Sequence, residues 1–121
     1  MHKVSGIGGF FFRGDDPAAL AAWYRDALGI DPVPEAYDEP VWIQEAGETV
    51  FTAMPEALEQ FGSPGRSWAI NFRVPDLDGM VEQLRAAGSE VTVDPETYPN
   101  GRFASLADPE GNPIQLWQPE N

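Results

Sequence analysis

The chain has 121 residues, of which 42% are hydrophobic, which is typical of one compact globular domain. With 20 acidic against 7 basic side chains, its net charge of −13 disfavours nucleic acid and anionic membrane surfaces as partners. The lack of cysteine excludes disulfides, thiolate metal sites and a cysteine nucleophile. Because no apolar run reaches the ~20 residues of a membrane span and no signal-peptide pattern opens the chain, we expect a cytoplasmic protein.

The first half of the chain predicts a strand, a helix and two further strands. The aromatic-rich run Ile7 to Arg13 is typical of a strand. Asp16 is suited to cap a helix that begins at Pro17 and ends at Leu28, and Gly29 suits the C-terminal cap. Two shorter strands are expected after this helix, at residues 41–45 and 49–54.

The second half predicts the same succession. A strand is expected at residues 68–74, followed by a helix that Asp76 caps and Gly88 ends. Turn-forming residues at 108–112 separate the last two strands. The strands after this helix are expected at residues 90–93, 103–107 and 113–118.

The two halves also repeat one another in sequence. A shift of 60 positions places Phe12-Arg13 on Phe72-Arg73. Near the end of each half, a shift of 64 positions aligns residues 47–56 with residues 111–120, which share Gly, Pro and Glu at matching places. The chain is therefore expected to form a single domain, with a first module at about 4–56, a linker at about 57–66 and a second module at about 67–121.

Alternation along the strands assigns successive side chains to opposite faces. One set is almost wholly apolar and is expected to pack beneath the helices: Phe10, Phe12, Val50, Thr52, Ile70, Phe72, Val74, Ile114 and Leu116. The other set mixes small, aromatic, amide and cationic groups: Gly9, Phe11, Arg13, Phe51, Ala53, Ala69, Asn71, Arg73, Gln115 and Trp117. Such a mixture suits the wall of a ligand cavity.

Two motifs resemble the vicinal oxygen chelate (VOC) superfamily, the glyoxalase, bleomycin-resistance and dioxygenase-like proteins. One joins residues 12–16 to Trp-Tyr-Arg-Asp-Ala-Leu-Gly-Ile at residues 23–30, and the other is Asp-Pro-Glu-Gly-Asn-Pro-Ile-Gln-Leu at residues 108–116. The resemblance implies an α+β fold of two βαβββ modules that form a curved mixed sheet around a cleft. It also implies a homodimer, and it leaves open whether modules pair within one chain or between chains.

The resemblance places the ligands of metal-binding members on Gly9, Phe51, Ala69 and Gln115. Those members have His, Glu or Gln there, whereas here only the neutral amide of Gln115 offers a donor. A divalent ion needs several such donors to offset its loss of hydration. We therefore predict no metal and no other cofactor, and we interpret His2, the sole histidine, as a solvated terminal residue.

The first functional hypothesis is metal-free binding of a small, partly aromatic molecule. The resemblance suggests this function, because some members of the superfamily sequester antibiotics. Aromatic rings would stack on the ligand, while amides and arginines would orient it. The alternative for each ring is a place in the core or in a dimer interface. The predicted ligand-binding residues are Phe11, Trp42, Phe51, Asn71, Arg73, Gln115 and Trp117.

Two other functions stay open. One is a metal-independent isomerase or lyase acting on a carbonyl compound, in which Arg73 stabilises an enolate and Tyr98 or Glu45 moves a proton. The other is a non-catalytic dimeric interaction module with a vestigial cleft. The spacing of the residues does not decide whether the protein is an enzyme.

Overall fold

A computed structural model describes residues 1–55 and 66–120 of the chain and shows an α+β fold. The predicted linker therefore lies outside the described residues, except for Arg66. The elements in chain order are α1 (Pro17–Leu28), β1 (Ile70–Arg73), α2 (Leu77–Ala86), β2 (Thr92–Val93), β3 (Gly101–Ala107) and β4 (Pro113–Pro119).

The four strands form one mixed sheet in the order β1-β4-β3-β2. β1 runs parallel to β4, whereas the β4–β3 and β3–β2 pairs are antiparallel. The parallel pair is possible because α2 carries the chain across one face of the sheet between β1 and β2. The second half of the chain therefore forms the βαβββ unit that its sequence predicts.

Both helices begin where their caps predict. The Asp16 side chain accepts a hydrogen bond from the Ala19 amide at 3.1 Å, and that of Asp76 accepts one from the Gly79 amide at 3.0 Å. Gly29 ends α1 with φ +74°, a conformation that glycine adopts without a steric penalty. In residues 1–55 and 66–120, neither helix is long and apolar enough to cross a membrane, and the cytoplasmic location stays a prediction.

The core lies between the helices and one face of the sheet. Leu77 and Leu84 of α2 and Ile114 and Leu116 of β4 are fully buried, and Ile70, Phe72 and Val74 pack with them. α1 adds Leu20, Tyr24 and Ala27. For the second half, the apolar set that strand alternation predicts is confirmed.

The prediction of strands in the first half is wrong for the described residues. Residues 7–13, 41–45 and 49–54 make no β-ladder, and Val50, predicted to be buried, is 74% exposed. A strand exists only when a neighbour accepts and donates its backbone hydrogen bonds, and side-chain alternation does not provide that neighbour. The described residues therefore contain one βαβββ module, and the predicted sheet of two modules around a cleft is not formed within them.

The predicted alternation nevertheless holds for the aromatic run near the N-terminus. The ring of Phe12 lies 5.8 Å from that of Tyr24, and the ring of Phe10 lies 5.0 Å from that of Trp68. Phe11 between them points away and is 94% exposed. Phe10 and Phe12 thus lie against α1 and the start of the second module, although the segment carrying them pairs with none of the strands in residues 1–55 and 66–120.

Candidate functional site

The sheet has a second face, opposite the helices, which we call the open face. It is formed by Asn71, Arg73, Thr92, Phe103, Ser105, Gln115 and Trp117, which alternate along the strands with the core residues. Four of these seven belong to the predicted ligand-binding set: Asn71, Arg73, Gln115 and Trp117.

An amide pair lies at the centre of the open face. Asn71 and Gln115 are register partners on β1 and β4, and the Asn71 Nδ2 group donates a 2.7 Å hydrogen bond to Gln115 Oε1. Asn71 is exposed and Gln115 is half-buried. Among residues 1–55 and 66–120, no other side chain bonds to this pair, so the Asn71 amide oxygen and the Gln115 amide NH₂ group are open to a ligand.

An aromatic pair lies two residues further along the strands, on the same face of the sheet. Trp117 and Phe103 are partners on β4 and β3, with parallel rings (5° between planes) whose centroids are 6.3 Å apart. Trp117 is only 6% exposed and donates its Nε1–H to the Asn100 carbonyl oxygen at 2.8 Å, so its ring mainly supports the site. The half-buried Phe103 presents the more accessible ring. Sequence reasoning missed Phe103, although alternation along the predicted strand 103–107 puts it on the face opposite the core residues Ala104 and Leu106.

Arg73 joins the open face to the first half of the chain. Its Nη2 group donates a 2.9 Å hydrogen bond to the Glu45 carbonyl oxygen. Its guanidinium lies so close to Gly47 that a Cβ at this position would overlap it. The contact with Glu45 is through the backbone, so it does not bring the Glu45 carboxylate to Arg73 as a proton acceptor.

Tyr98 lies at the end of the site, against the Phe103 ring, with centroids 5.9 Å apart. Its hydroxyl donates a 2.9 Å hydrogen bond to Asp94 Oδ2. This bond, together with burial and the negative charges of Asp94 and Glu96, raises the pKa of the Tyr98 hydroxyl. Because a raised pKa keeps the phenol protonated near neutral pH, the Tyr98 oxygen is not available there to accept a proton.

The remaining three predicted ligand-binding residues are not brought to the open face by strands. Phe11, Trp42 and Phe51 lie in first-half segments that form neither helix nor strand, and they are 94%, 40% and 89% exposed. The structure thus divides the predicted set into four residues on one sheet face and three on segments without sheet partners.

The four positions that the resemblance links to a metal do not converge in the described chain. Gln115 lies on the open face and Ala69 directly precedes β1, but Gly9 and Phe51 lie outside the sheet. The Gln115 oxygen already accepts the Asn71 amide. Within residues 1–55 and 66–120, no group of three or more His, Asp or Glu side chains is arranged to hold an ion. These residues do not fit the metal that the fold family implies, because one engaged amide is a poor donor set.

A buried polar network fixes the turn between β3 and β4. The Asp108 carboxylate accepts hydrogen bonds from the Tyr24 hydroxyl at 2.7 Å and from the Glu110 and Asn112 amides at 2.9 Å. Arg66 in turn donates to the Asn112 side chain and the Glu110 carbonyl oxygen. Burial and the bond to Asp108 raise the pKa of Tyr24. The network holds β4 in place, and with it Gln115 and Trp117.

A family model described as "Glyoxalase-like domain" matches residues 9–117. The chain is 32% identical over 100 residues to the anthracycline biosynthesis protein DauV of Streptomyces sp. strain C5, covering 80% of this chain and 35% of that protein. It is 38% identical over 108 residues to CFP32 of Mycobacterium bovis, covering 87% and 41%. The chain thus spans less than half the length of these relatives.

Among solved structures, the chain is similar to TnmS3, an antibiotic binding protein from Streptomyces sp. CB03234. The TM-score is 0.66 at 26% identity, over 99% of this chain and 100% of that one. Together with the family match, this confirms the resemblance found in the two sequence motifs. The chain belongs to the glyoxalase-like domain family, within the glyoxalase/bleomycin resistance/dioxygenase (VOC) superfamily.

Proposed function

We propose that the protein binds a small, partly aromatic molecule on the open face, as a sequestration or resistance protein does. The observation that carries this function is that the amide pair Asn71–Gln115 lies two residues along the strands from the rings of Trp117 and Phe103, on the same face. The face of a flat ligand would pack on the aromatic rings, and polar groups along its edge would hydrogen-bond to the two amides. Similarity to an antibiotic-binding protein over nearly the whole of both chains supports this class of ligand.

The charge of the chain favours a cationic ligand. A net charge of −13 attracts cations over a distance and raises their local concentration near the site. Two of the curated relatives are named for anthracycline biosynthesis. An anthracycline carries both a flat aromatic ring system and an amino group, so it is a suitable first probe.

The binding site is completed, in this proposal, by a second copy of the chain. The large hydrophobic side chains that the described chain exposes all lie within residues 1–54, among them Phe11, Trp42 and Phe51. Exposed apolar surface on this scale is typical of an interaction site. Pairing of the first-half segments within a homodimer would provide the missing strand neighbours and bring these three residues toward a shared cleft of two βαβββ modules.

An isomerase or lyase without a metal is the second candidate, because Arg73, Glu45 and Tyr98 all lie near the open face. The contacts favour binding over this chemistry. Arg73 reaches the Glu45 backbone and not its carboxylate, and the Tyr98 hydroxyl is held by Asp94. The third candidate, an interaction module, predicts that no small molecule stabilises the protein.

Titration with doxorubicin, an anthracycline, tests the proposed function. We expect a saturable rise of the melting temperature, because a ligand that binds only the folded state stabilises it by mass action. The same rise is expected in EDTA, since the site needs no metal. Phe103→Ala should weaken binding about ten-fold, because stacking on the accessible ring contributes roughly 1 kcal/mol or more.

Tyr37→Ala is the matched control, because it removes an aromatic ring from an exposed position outside the sheet. Absence of any thermal shift, or equal weakening by both variants, would contradict binding on the open face. Loss of binding in EDTA would contradict the metal-free site. Chromatography of the compound recovered after incubation distinguishes binding from the isomerase or lyase function, because only an enzyme converts the probe.

A further inference from the structure

The open face carries a row of neutral hydrogen-bonding side chains that crosses all four strands. Asn71 is the register partner of Gln115, Gln115 is the partner of Ser105, and Ser105 is the partner of Thr92. Neighbouring strands lie about 4.8 Å apart, so the row repeats polar groups at roughly that interval. Asn71, Ser105 and Thr92 are exposed and Gln115 is half-buried.

The row can both donate and accept hydrogen bonds. One bond joins the two amides and, within the part of the chain that the structure describes, it leaves one amide NH₂ group and one amide oxygen for a ligand. This remains true if both amides are turned over, because the donor and the acceptor then only exchange places. The hydroxyls of Ser105 and Thr92 each donate or accept as required.

The row lies beside a second row of different character. Arg73, Trp117 and Phe103 are partners on β1, β4 and β3, two residues further along each strand from Asn71, Gln115 and Ser105. Side chains two residues apart on a strand share a face and lie about 6 to 7 Å apart. A rigid ring system lying on the open face therefore contacts the accessible Phe103 ring, which Trp117 supports, while its edge reaches the hydrogen-bonding groups of the other row.

We infer that the Asn71–Gln115–Ser105–Thr92 row selects flat aromatic ligands that carry several hydroxyl or carbonyl oxygens along one edge. This inference rests on the proposed function, since it names the ligand class of the same site. Hydroxylated quinones fit the row because they present donors and acceptors side by side in one plane. A ring system without oxygens would leave the amide donor and acceptor without partners, which costs affinity when water is displaced.

The test compares two probes, naphthazarin, which is a dihydroxylated naphthoquinone, and naphthalene, which has a similar ring system without oxygens. Tryptophan fluorescence follows both titrations, and the chain has no cysteine to react with the quinone. We expect naphthazarin to bind at least about ten-fold more tightly than naphthalene. Gln115→Leu should remove most of this preference and change naphthalene affinity by less than about two-fold.

Gln83→Leu is the matched control, because it makes the same change on α2, across the sheet from the open face, and should leave both affinities unaltered. If Gln115→Leu does not fold, Ser105→Ala at its exposed position tests the same preference. Equal affinities for the two probes, or a preference that survives these substitutions, would overturn the inference and leave the proposed function standing. Binding of neither probe, nor of doxorubicin, would instead contradict the proposed function.

Discussion

Asp108 is a buried carboxylate that the fold surrounds with donors. The Tyr24 hydroxyl donates to its Oδ2 atom, as does the Asn112 side-chain amide, and two backbone amides donate to Oδ1. A buried carboxylate without such partners would cost several kcal/mol, so each donor offsets part of its desolvation. Since Tyr24 lies on α1 and Asp108 follows β3, the network ties the first half of the chain to the sheet.

Tyr24→Phe should destabilise the protein by about 1.5 to 3 kcal/mol at neutral pH, the range for a hydrogen bond to a charged group. The pH dependence is also expected to change. The folded-state pKa of Tyr24 lies above its unfolded value of about 10, so its contribution is complete below pH 10 and falls as the pH rises further. The loss is at most about 1.4 kcal/mol per pH unit.

Urea unfolding between neutral pH and pH 11 measures both effects. The stability difference between the wild type and Tyr24→Phe should be constant up to about pH 10 and then shrink. Tyr37→Phe is the control, because its side chain is exposed and loss of its hydroxyl should leave the stability at neutral pH unchanged. A stability difference that stays constant to pH 11 would show that the folded state holds the Tyr24 proton no more firmly than the unfolded state does.

At the scale of the elements, α2 connects β1 to β2, the two edge strands of the sheet, and covers the core. Leu77 and Leu84 on one side of it are fully buried, while Asp76 caps its first turn by accepting the Gly79 amide. A second contact fixes the same end, since Gln118 on β4 accepts the Leu77 amide at 2.7 Å. The bond between Leu77 and Gln118 therefore fixes the start of the helix relative to the strand that carries Gln115 and Trp117.

Asp76→Ala should lower the free energy of unfolding by about 1 kcal/mol, the usual cost of losing an N-cap side chain. Glu82→Ala on the exposed side of the same helix should change it by less than about 0.5 kcal/mol. Thermal and urea unfolding measure both variants. Equal losses would mean that the Asp76 carboxylate adds nothing beyond a generic helical residue.

The helices were predictable because their signals are local. Asp16, Pro17 and Gly29 define α1 within a few residues, and the structure gives the predicted bounds. The strands of the second half were also predicted, and their alternation placed Asn71 and Gln115 on one face. The strands predicted for the first half are absent from the described residues. Nearby sequence did not reveal this, because it does not determine which segment hydrogen-bonds to a strand. Phe103 was missed because its role depends on its register with Trp117.

At the scale of the whole molecule, two properties of the chain have opposite effects on dimerisation. The apolar side chains exposed along residues 1–54 favour association, whereas a net charge of −13 on each copy opposes it. Salt screens the repulsion between copies and leaves apolar burial intact or strengthened. A dimer held by these segments should therefore become more stable as the ionic strength increases, unlike an assembly held by ion pairs.

Sedimentation analysis at micromolar concentration should give twice the mass of the chain, with more dimer at higher salt. Phe51→Glu should shift the protein to monomer, because it places a charge in apolar surface that the second copy covers. Ala21→Glu, an equally charged change on the exposed side of α1, is the control and should keep the dimer. A wild-type protein that stays monomeric would contradict the shared cleft, and the first-half residues Phe11, Trp42 and Phe51 would then lose their proposed place in the site. The open face of the single sheet would in that case bind its ligand alone, as the doxorubicin titration of the same monomer would show.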